Sequence, residues 1–569
     1  MLVPSEVRLR QLLQVISICL CITQTVHAGT VSVKVGVAKI AITPYGPNPD
    51  WHGPVTVSGI WGERFTDANN NDRWDAGEPF VDDDRNNALD PHSKDKYDGI
   101  YLAGFGGPGE DRLATGRHDD LWVRALVLDS DGTRIAIVSL DLIGYYQRSG
   151  YYGVDEARKL LDPGLGIREL LVASTHNHEG PDTIGLWGGT ANSDGKFPLY
   201  LHFIDHEIAK AVSLAARSVV PVRMKLGATG PQLSPALQNL QTRTAGRPPK
   251  FFDEELRVMQ FIGTEGEKKH KAVATLINWN THPESLEDEN TLLTSDFPGA
   301  VREAIEQKFG GLAIYISGDL GAVEIVGDNG QGTRTRFHGR DFPVTKDNKS
   351  KTFTFERMQA IGHDVADAAG EAIARAEWSS VTGIETKKAD MRVPLDNLGF
   401  QSLLAKGILG RMPGMDALGG PDVMSTVHVI RIGDAQIVTA PGELFPEVFY
   451  GVKKYSRRDC PKANSGRPAE PSVFSAMTAK YKFVFGLCPD ELGYIVPGYD
   501  FRPPIFDEKG GVKEADDACM ADGVPTHYHE TNSASSQLAP VWACTAARLL
   551  GENTSQEPAC AALPLKARP

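Results

Sequence analysis

The sequence predicts an α/β protein of the mixed α+β kind, with layered mixed β-sheets flanked by helices. Apolar runs rich in Val, Ile and Leu recur along the chain, and several stop at a chemically active side chain. Helical periodicities are interspersed among them, and neither an internal repeat nor a long low-complexity linker interrupts the pattern. Strands and helices mixed in this way pack as layers around a common core.

The elements follow in chain order. Arg8 and Arg10 precede an apolar segment at 12–22, and Val26-His27-Ala28 has the form of a small-residue cleavage site. Residues 1–28 therefore read as a signal peptide, too short to span a bilayer comfortably, and the mature chain is expected to be secreted or periplasmic. A strand at 33–42 ends at Thr43-Pro44. Next comes an acidic insert at 67–90. Counted from Asp67, oxygen ligands fall at EF-hand positions on Asp67, Asn69, Asn71, Asp75 and Glu78, with the Arg73 carbonyl at position 7. Asp72 stands where that loop has glycine, and Asp tolerates the left-handed turn better than most residues. The competing reading is a flexible acidic loop. A second acidic run from Asp82 reaches Ser93 where the bidentate Glu belongs. Gly104–Gly109 is glycine-rich but contains proline and lacks a following helix, which suits a tight turn near a cleft better than a phosphate loop.

Segments 121–128 and 134–141 read as a hairpin turning at Ser130-Asp-Gly-Thr. Helices are expected at 154–161, 202–218, 298–308 and 355–376. Further strands are expected at 256–262, 272–277, 312–316, 427–432 and 436–439, and surface loops at 330–350 and 463–471.

The stretch with most chemistry is Leu170-Leu-Val-Ala-Ser-Thr-His-Asn-His-Glu-Gly-Pro-Asp182. It reads as a buried strand running into His176 and His178 before breaking at Gly180-Pro181. Residues two apart share one side of a strand, so both imidazoles are expected to face one cleft. By itself the pair is weak evidence of a metal and reads more readily as a solvated loop. Two further apolar runs end at His282 and at Glu443, and two imidazoles with a carboxylate are what a catalytic zinc requires. Which of His176 and His178 binds the ion is open at this stage.

With 569 residues the chain has room for two or three domains or one large enzyme domain. A formal net charge of −14 excludes a nucleic-acid partner and an anionic membrane surface as natural ligands. Cys19 and Cys21 fall in the leader. Cys460, Cys488, Cys519, Cys544 and Cys560 crowd the last quarter, which suggests two disulfides and one thiol in an oxidising compartment.

Several segments carry a wider likeness: Val35-Gly-Val-Ala-Lys-Ile-Ala-Ile-Thr-Pro, Gly116-Arg-His-Asp-Asp-Leu-Trp-Val-Arg, Val138-Ser-Leu-Asp-Leu, Thr175-His-Asn-His-Glu-Gly-Pro and Asn278-Trp-Asn-Thr-His-Pro. Ser295-Asp-Phe-Pro-Gly, Gly318-Asp319, Pro441-Gly-Glu and Gly486-Leu-Cys-Pro-Asp-Glu-Leu-Gly-Tyr494 continue it in the same order. Together they resemble the neutral (alkaline, non-lysosomal) ceramidases, zinc amidases that cleave the N-acyl bond of ceramide. The resemblance implies a ceramidase-like zinc hydrolase domain over 29–545 and a tail at 546–569. It also implies zinc ligands His176, His282, Glu443 and Tyr494, with His178 beside the metal. Two departures stand out. The family's active-site serine position falls on Gly321, and the family's C-terminal immunoglobulin-like domain has no counterpart after Tyr528.

Without the serine, hydrolysis is expected to rest on metal-activated water, with His178 as proton donor to the leaving group. Asp319, after the strand at 312–316, is expected either to orient a histidine or the water, or to cap a turn; Asp141 has the same two readings. The expected function is therefore an exported zinc hydrolase acting on a linear amide of a lipid or other N-acyl substrate, with calcium as a second ion. Two rivals remain. One is a non-catalytic binding or surface protein that keeps the fold and metal; the other is a calcium-stabilised structural protein.

Overall fold

The computed structural model describes residues 33–44, 100–106, 112–190, 193–240, 244–245, 251–324, 334–343, 352–411, 414–415, 420–452, 467–501 and 528–563, with the isolated residues Gly77 and Pro79. The leader 1–28, the calcium-loop residues Asp67, Asn69, Asn71, Arg73, Asp75 and Glu78, and Cys460 and Cys519 lie outside them.

The longest sheet is built from β1 (Lys34–Ala41), β2 (Trp122–Ser130), β3 (Thr133–Leu140), β4 (Ile167–Ser174), β5 (Val220–Thr229), β6 (Leu256–Gly263), β7 (Ala272–Trp279) and β8 (Leu312–Ser317). Its strand order is β8-β7-β6-β5-β1-β2-β3-β4, and a short β9 (Glu377–Ser379) lies beside β5. The β3–β4 and β7–β8 pairs are parallel. Between β2 and β3, Asp131 and Gly132 take φ of 48° and 75°, the two left-handed positions that a two-residue hairpin needs. The sheet curls until its edge strand β8 lies back across β2–β4. Ser139 Oγ donates to Tyr315 O at 2.7 Å, Ser317 Oγ to Thr175 O at 2.7 Å, and Arg124 Nη1 to Ala313 O at 2.9 Å.

A second sheet takes the order β10 (Ile384–Pro394), β11 (Pro421–Ile432), β12 (Ala435–Thr439), β14 (Tyr481–Phe485). A two-residue parallel pair, β13 (Glu443–Leu444) with β15 (Tyr494–Ile495), sits beside it in sequence. Residues from both halves of the curled sheet and from the second sheet, among them Leu126, Ile137, Met259, Ile316, Ile437 and Phe483, form one central cluster. The outer faces are covered by α1 (Pro198–Arg217) on β1–β4, by α2 (Asp296–Phe309) and α3 (Phe355–Ala374) on β5–β8, and by α4 (Leu538–Leu550) on the second sheet. This is the layered arrangement of mixed sheets and flanking helices that the sequence predicts. Strands covered on both faces have no wet side, and every residue of β7 and β8 is buried. That is why they read as unbroken apolar runs.

Five features depart from the sequence reading. β5 and β10 were not expected as strands, because their half-exposed alternation (Arg223 and Lys225; Lys387, Lys388 and Asp390) looks like polar loop. β11 begins at Pro421 rather than near 427. The segment 330–350, expected as a surface loop, contains a hairpin at Arg334–Phe337 and Arg340–Pro343, with Phe337 and Phe342 buried under α3. Helix α4 was also unforeseen; its Trp542 Nε1 donates to Thr439 O at 2.9 Å. A disulfide joins Cys544 on α4 to Cys560, and the Cys488 thiol is free and buried.

The C-terminal ends of β4, β7, β8, β12 and β14 are knitted together by main-chain bonds. Gly318 N donates to Trp279 O, Gly486 N to Ser317 O, Ser174 N to Leu487 O, Cys488 N to Ala440 O and Gly321 N to Leu444 O, at 2.8–3.2 Å. Beside this knot, Arg302 of α2 holds Asp141 through two bonds of 2.6 and 2.8 Å, both side chains buried. Arg302→Met should lower unfolding stability by about 3–5 kcal/mol, since it strands a buried carboxylate; denaturant titration measures the loss.

The two sheets are also clamped by charge: Glu169 on β4 meets Lys388 of β10 at 2.9 Å and His428 of β11 at 3.5 Å. Burial raises the Glu169 carboxyl, but His428 and Lys388 outweigh it and hold the group at about 2. A carboxyl held below its unfolded value of about 4.3 stabilises the fold above that pH, and the contribution is lost as pH falls toward 2. Glu169→Gln should therefore unfold earlier than wild type at pH 7, with the gap closing between about pH 4 and pH 2. A gap that ignores pH would refute the clamp.

Candidate metal centre

At the knotted strand ends, three imidazoles and a carboxylate meet. The His176, His178 and His282 ligand atoms lie within 4.8 Å of one another, and all three residues are buried. Ring centroids are 4.8 Å apart for His176–His178 and His176–His282, and 5.6 Å for His178–His282. Glu443 Oε2 stands 3.3 Å from His176 Nε2 and 3.0 Å from His282 Nε2.

The predicted side-by-side placement of His176 and His178 is right, but not for the predicted reason. β4 stops at Ser174, two residues short of His176. His176 itself takes φ of 66°, a left-handed conformation that costs on the order of 1–3 kcal/mol for a residue with a Cβ. The pair converges through this strained turn, not through the strand pleat.

The hydrogen bonds set the tautomers. His176 Nδ1 lies 2.8 Å from Ile143 O, and His282 Nδ1 lies 2.9 Å from Val323 O. A carbonyl only accepts, so both Nδ1 atoms carry hydrogen, and a neutral ring then aims an Nε2 lone pair at Glu443. Contact with a carboxylate oxygen at 3.0–3.3 Å calls for positive charge there, either a proton on Nε2 or a cation held between the groups. For metal–ligand bonds of about 2.0–2.1 Å, neighbouring ligands of a tetrahedral ion stand roughly 3.3 Å apart. Burial raises the Glu443 carboxyl, yet His176 and His282 hold it at about 2, so it is a carboxylate. Both ring nitrogens of buried His178 have no hydrogen-bond partner. Burial, then His176, His282 and Arg112, keeps His178 well below the usual imidazole range and hence neutral. A buried group of this composition can hold a divalent metal ion.

The remaining predicted residues fall in different places. Tyr494 is buried, is the direct β15 partner of Glu443 on β13, and has its ring centroid 6.2 Å from that of His282. Asp319 is buried against Asn280 (3.3 Å) and shares the surroundings of Asp253 and Arg257. Burial and Asp253 push its carboxyl well up while Arg257 pulls the other way. The Asp141 side chain belongs to Arg302 and to Trp122 N (2.9 Å). Gly321 presses against β13: a Cβ there would lie 2.5 Å from Glu443 O and 2.7 Å from Phe445 Cδ2, so no side chain fits.

Two groups at the centre had no place in the sequence reading. Glu284, two residues after His282, has Oε2 4.0 Å from His178 Nδ1. The His-Pro-Glu spacing is the signal that points to it. Arg112 donates to Ala103 O (3.0 Å), His178 O (2.9 Å) and Asn290 O (3.1 Å) and pairs with Glu179, binding three loops with one guanidinium. Nothing local in the sequence marks it. On the other side, Gly104, with φ of 105°, and Phe105, edge-on at 5.0 Å, wall in the His178 ring.

No family model matches the chain, and no curated protein matches it in sequence. Among solved structures, the crystal structure of neutral ceramidase from Pseudomonas aeruginosa aligns with a TM-score of 0.50 at 15% identity, over 90% of this chain and 74% of that one. A ceramidase complexed with C2 aligns at 0.49 and 15% identity, over 90% and 75%. The first alignment shows a shared ceramidase-like fold.

A Cβ at Gly104 would lie 2.4–2.6 Å from the His178 ring. Gly104→Ala should therefore weaken binding of an added divalent ion by roughly 10-fold or more, because a group that orients the site is displaced. Isothermal titration reads the change; unaltered affinity would show that His178 placement does not matter to the ion.

Proposed function

We propose that this chain is an exported, zinc-dependent hydrolase that cleaves the N-acyl amide of ceramide or a related N-acyl compound using water. The observation that carries the reading is Glu443 Oε2 between two Nε2 atoms whose rings are locked by the Ile143 and Val323 carbonyls. His176, His282 and Glu443 would hold the ion, with the Tyr494 phenol, beside Glu443 on the neighbouring strand, as the fourth group. A bound zinc supplies Lewis acidity toward the scissile carbonyl and brings the pKa of water to about 7. The carbonyl oxygens of Ile143 and Val323 keep the imidazoles from rotating as charge develops. Gly321 offers no hydroxyl, so the attacking oxygen comes from water and no acyl group is transferred to the protein there. His178 lines the same space, its nitrogens open either to a proton for the leaving amine or to a ligand role. Asp319 acts at a distance, through Asn280, on the segment that carries His282. Calcium at Asp67–Glu78 belongs to the same proposal as a stabilising ion.

The second reading, a non-catalytic binding protein on this fold, draws support from Gly321. Elemental analysis and turnover separate the two. Purified wild type should carry zinc and release fatty acid from N-acyl amides, while His282→Ala should lose both zinc and turnover. Zinc without turnover of any amide or ester favours the binding protein. Wild type that takes up no zinc on reconstitution rejects the metal site altogether.

A further inference from the structure

We infer that His178 and Glu284 form a second divalent-cation subsite beside the first, so that the centre holds a pair of ions. The inference deepens the hydrolase reading, since the first ion is taken from it, and it commits His178 to the ligand role. His178 is 5% exposed, and neither ring nitrogen has a hydrogen-bond partner. Glu284 is 9% exposed; its Oε1 also lacks a partner, and its Oε2 faces His178 Nδ1 at 4.0 Å. The His178 ring sits behind Gly104 and Phe105, and both side chains are buried. Buried groups of this kind are held by a partner or by a metal.

Charge supports the same conclusion. Glu284 feels Glu324, Glu287, Asp296 and Glu443 as like charges, and Arg357 is the guanidinium set against Glu284, Glu287 and Asp296. Arg112, the other nearby cation, is occupied by Glu179. An imidazole with carboxylates suits zinc or a similar first-row ion. The His176 and His178 rings are 4.8 Å apart, close enough for two ions at the roughly 3.5–4 Å spacing of two-metal hydrolases.

The test counts metal. Metal-free full-length protein, with excess calcium present to occupy the acidic loop, is loaded with zinc, desalted and analysed. Wild type should retain two zinc equivalents and Glu284→Gln one, while His282→Ala loses the tighter ion. One equivalent in wild type that persists in Glu284→Gln and vanishes in His282→Ala overturns the second subsite and leaves the hydrolase reading standing. No zinc in wild type overturns both. If Glu284→Gln fails to fold, cobalt loading of wild type decides. Two neighbouring ions should give a paramagnetic resonance signal that grows with the first equivalent and is quenched by the second. A signal that grows with one equivalent and then stops changing refutes the pair.

Discussion

The Glu443 carboxylate is buried between two imidazoles, and each of those rings is tied by its far nitrogen to a main-chain carbonyl. With Nδ1 committed, each ring can meet the carboxylate only through Nε2, as an imidazolium proton or across a bound cation. A charged group in that position is tolerable only when positive charge fills the space in front of it. The rest of the structure serves this constraint. Ile143 and Val323 belong to loops after β3 and β8, the two histidines follow β4 and β7, and Glu443 follows β12. Five separate strand ends have to arrive together.

They arrive together because the main chain itself is cross-stitched there. Glycine makes the closeness possible at two points, Gly321 against β13 and Gly104 against the His178 ring, where any side chain would collide with what it packs on. Arg112 supplies the complementary device, a single buried guanidinium that binds the loop before β2, the loop after β4 and the loop after β7. Rigidity at this level sustains the left-handed turn at His176, a strained conformation that an isolated peptide would relax.

The fold is shared with neutral ceramidase, yet the position where the family resemblance expects a serine is a glycine packed too tightly to accept one. The departure is therefore built into the surrounding backbone and is more than a change of one side chain. In its place the chain offers Glu284, a buried carboxylate facing His178.

The layered fold was legible from apolar runs because strands covered on both faces leave little room for polar residues. The hairpin at Asp131-Gly132 was legible because two left-handed positions favour those residues. His176, His178, His282 and Glu443 could be named for the same local reason: each follows a strand core, and each is a ligand by residue type. β10 was hidden, since an edge strand with lysines outward reads as polar loop. What the sequence by itself determined is which residues end the strands. Only the tertiary structure decided that Asp319 meets Asn280 and Asp141 meets Arg302, that Arg112 braces the site, that Gly321 has no room, and that Glu284 looks at His178. Those facts depend on contacts between segments from about forty to more than a hundred and fifty residues apart, and no local pattern records such distances.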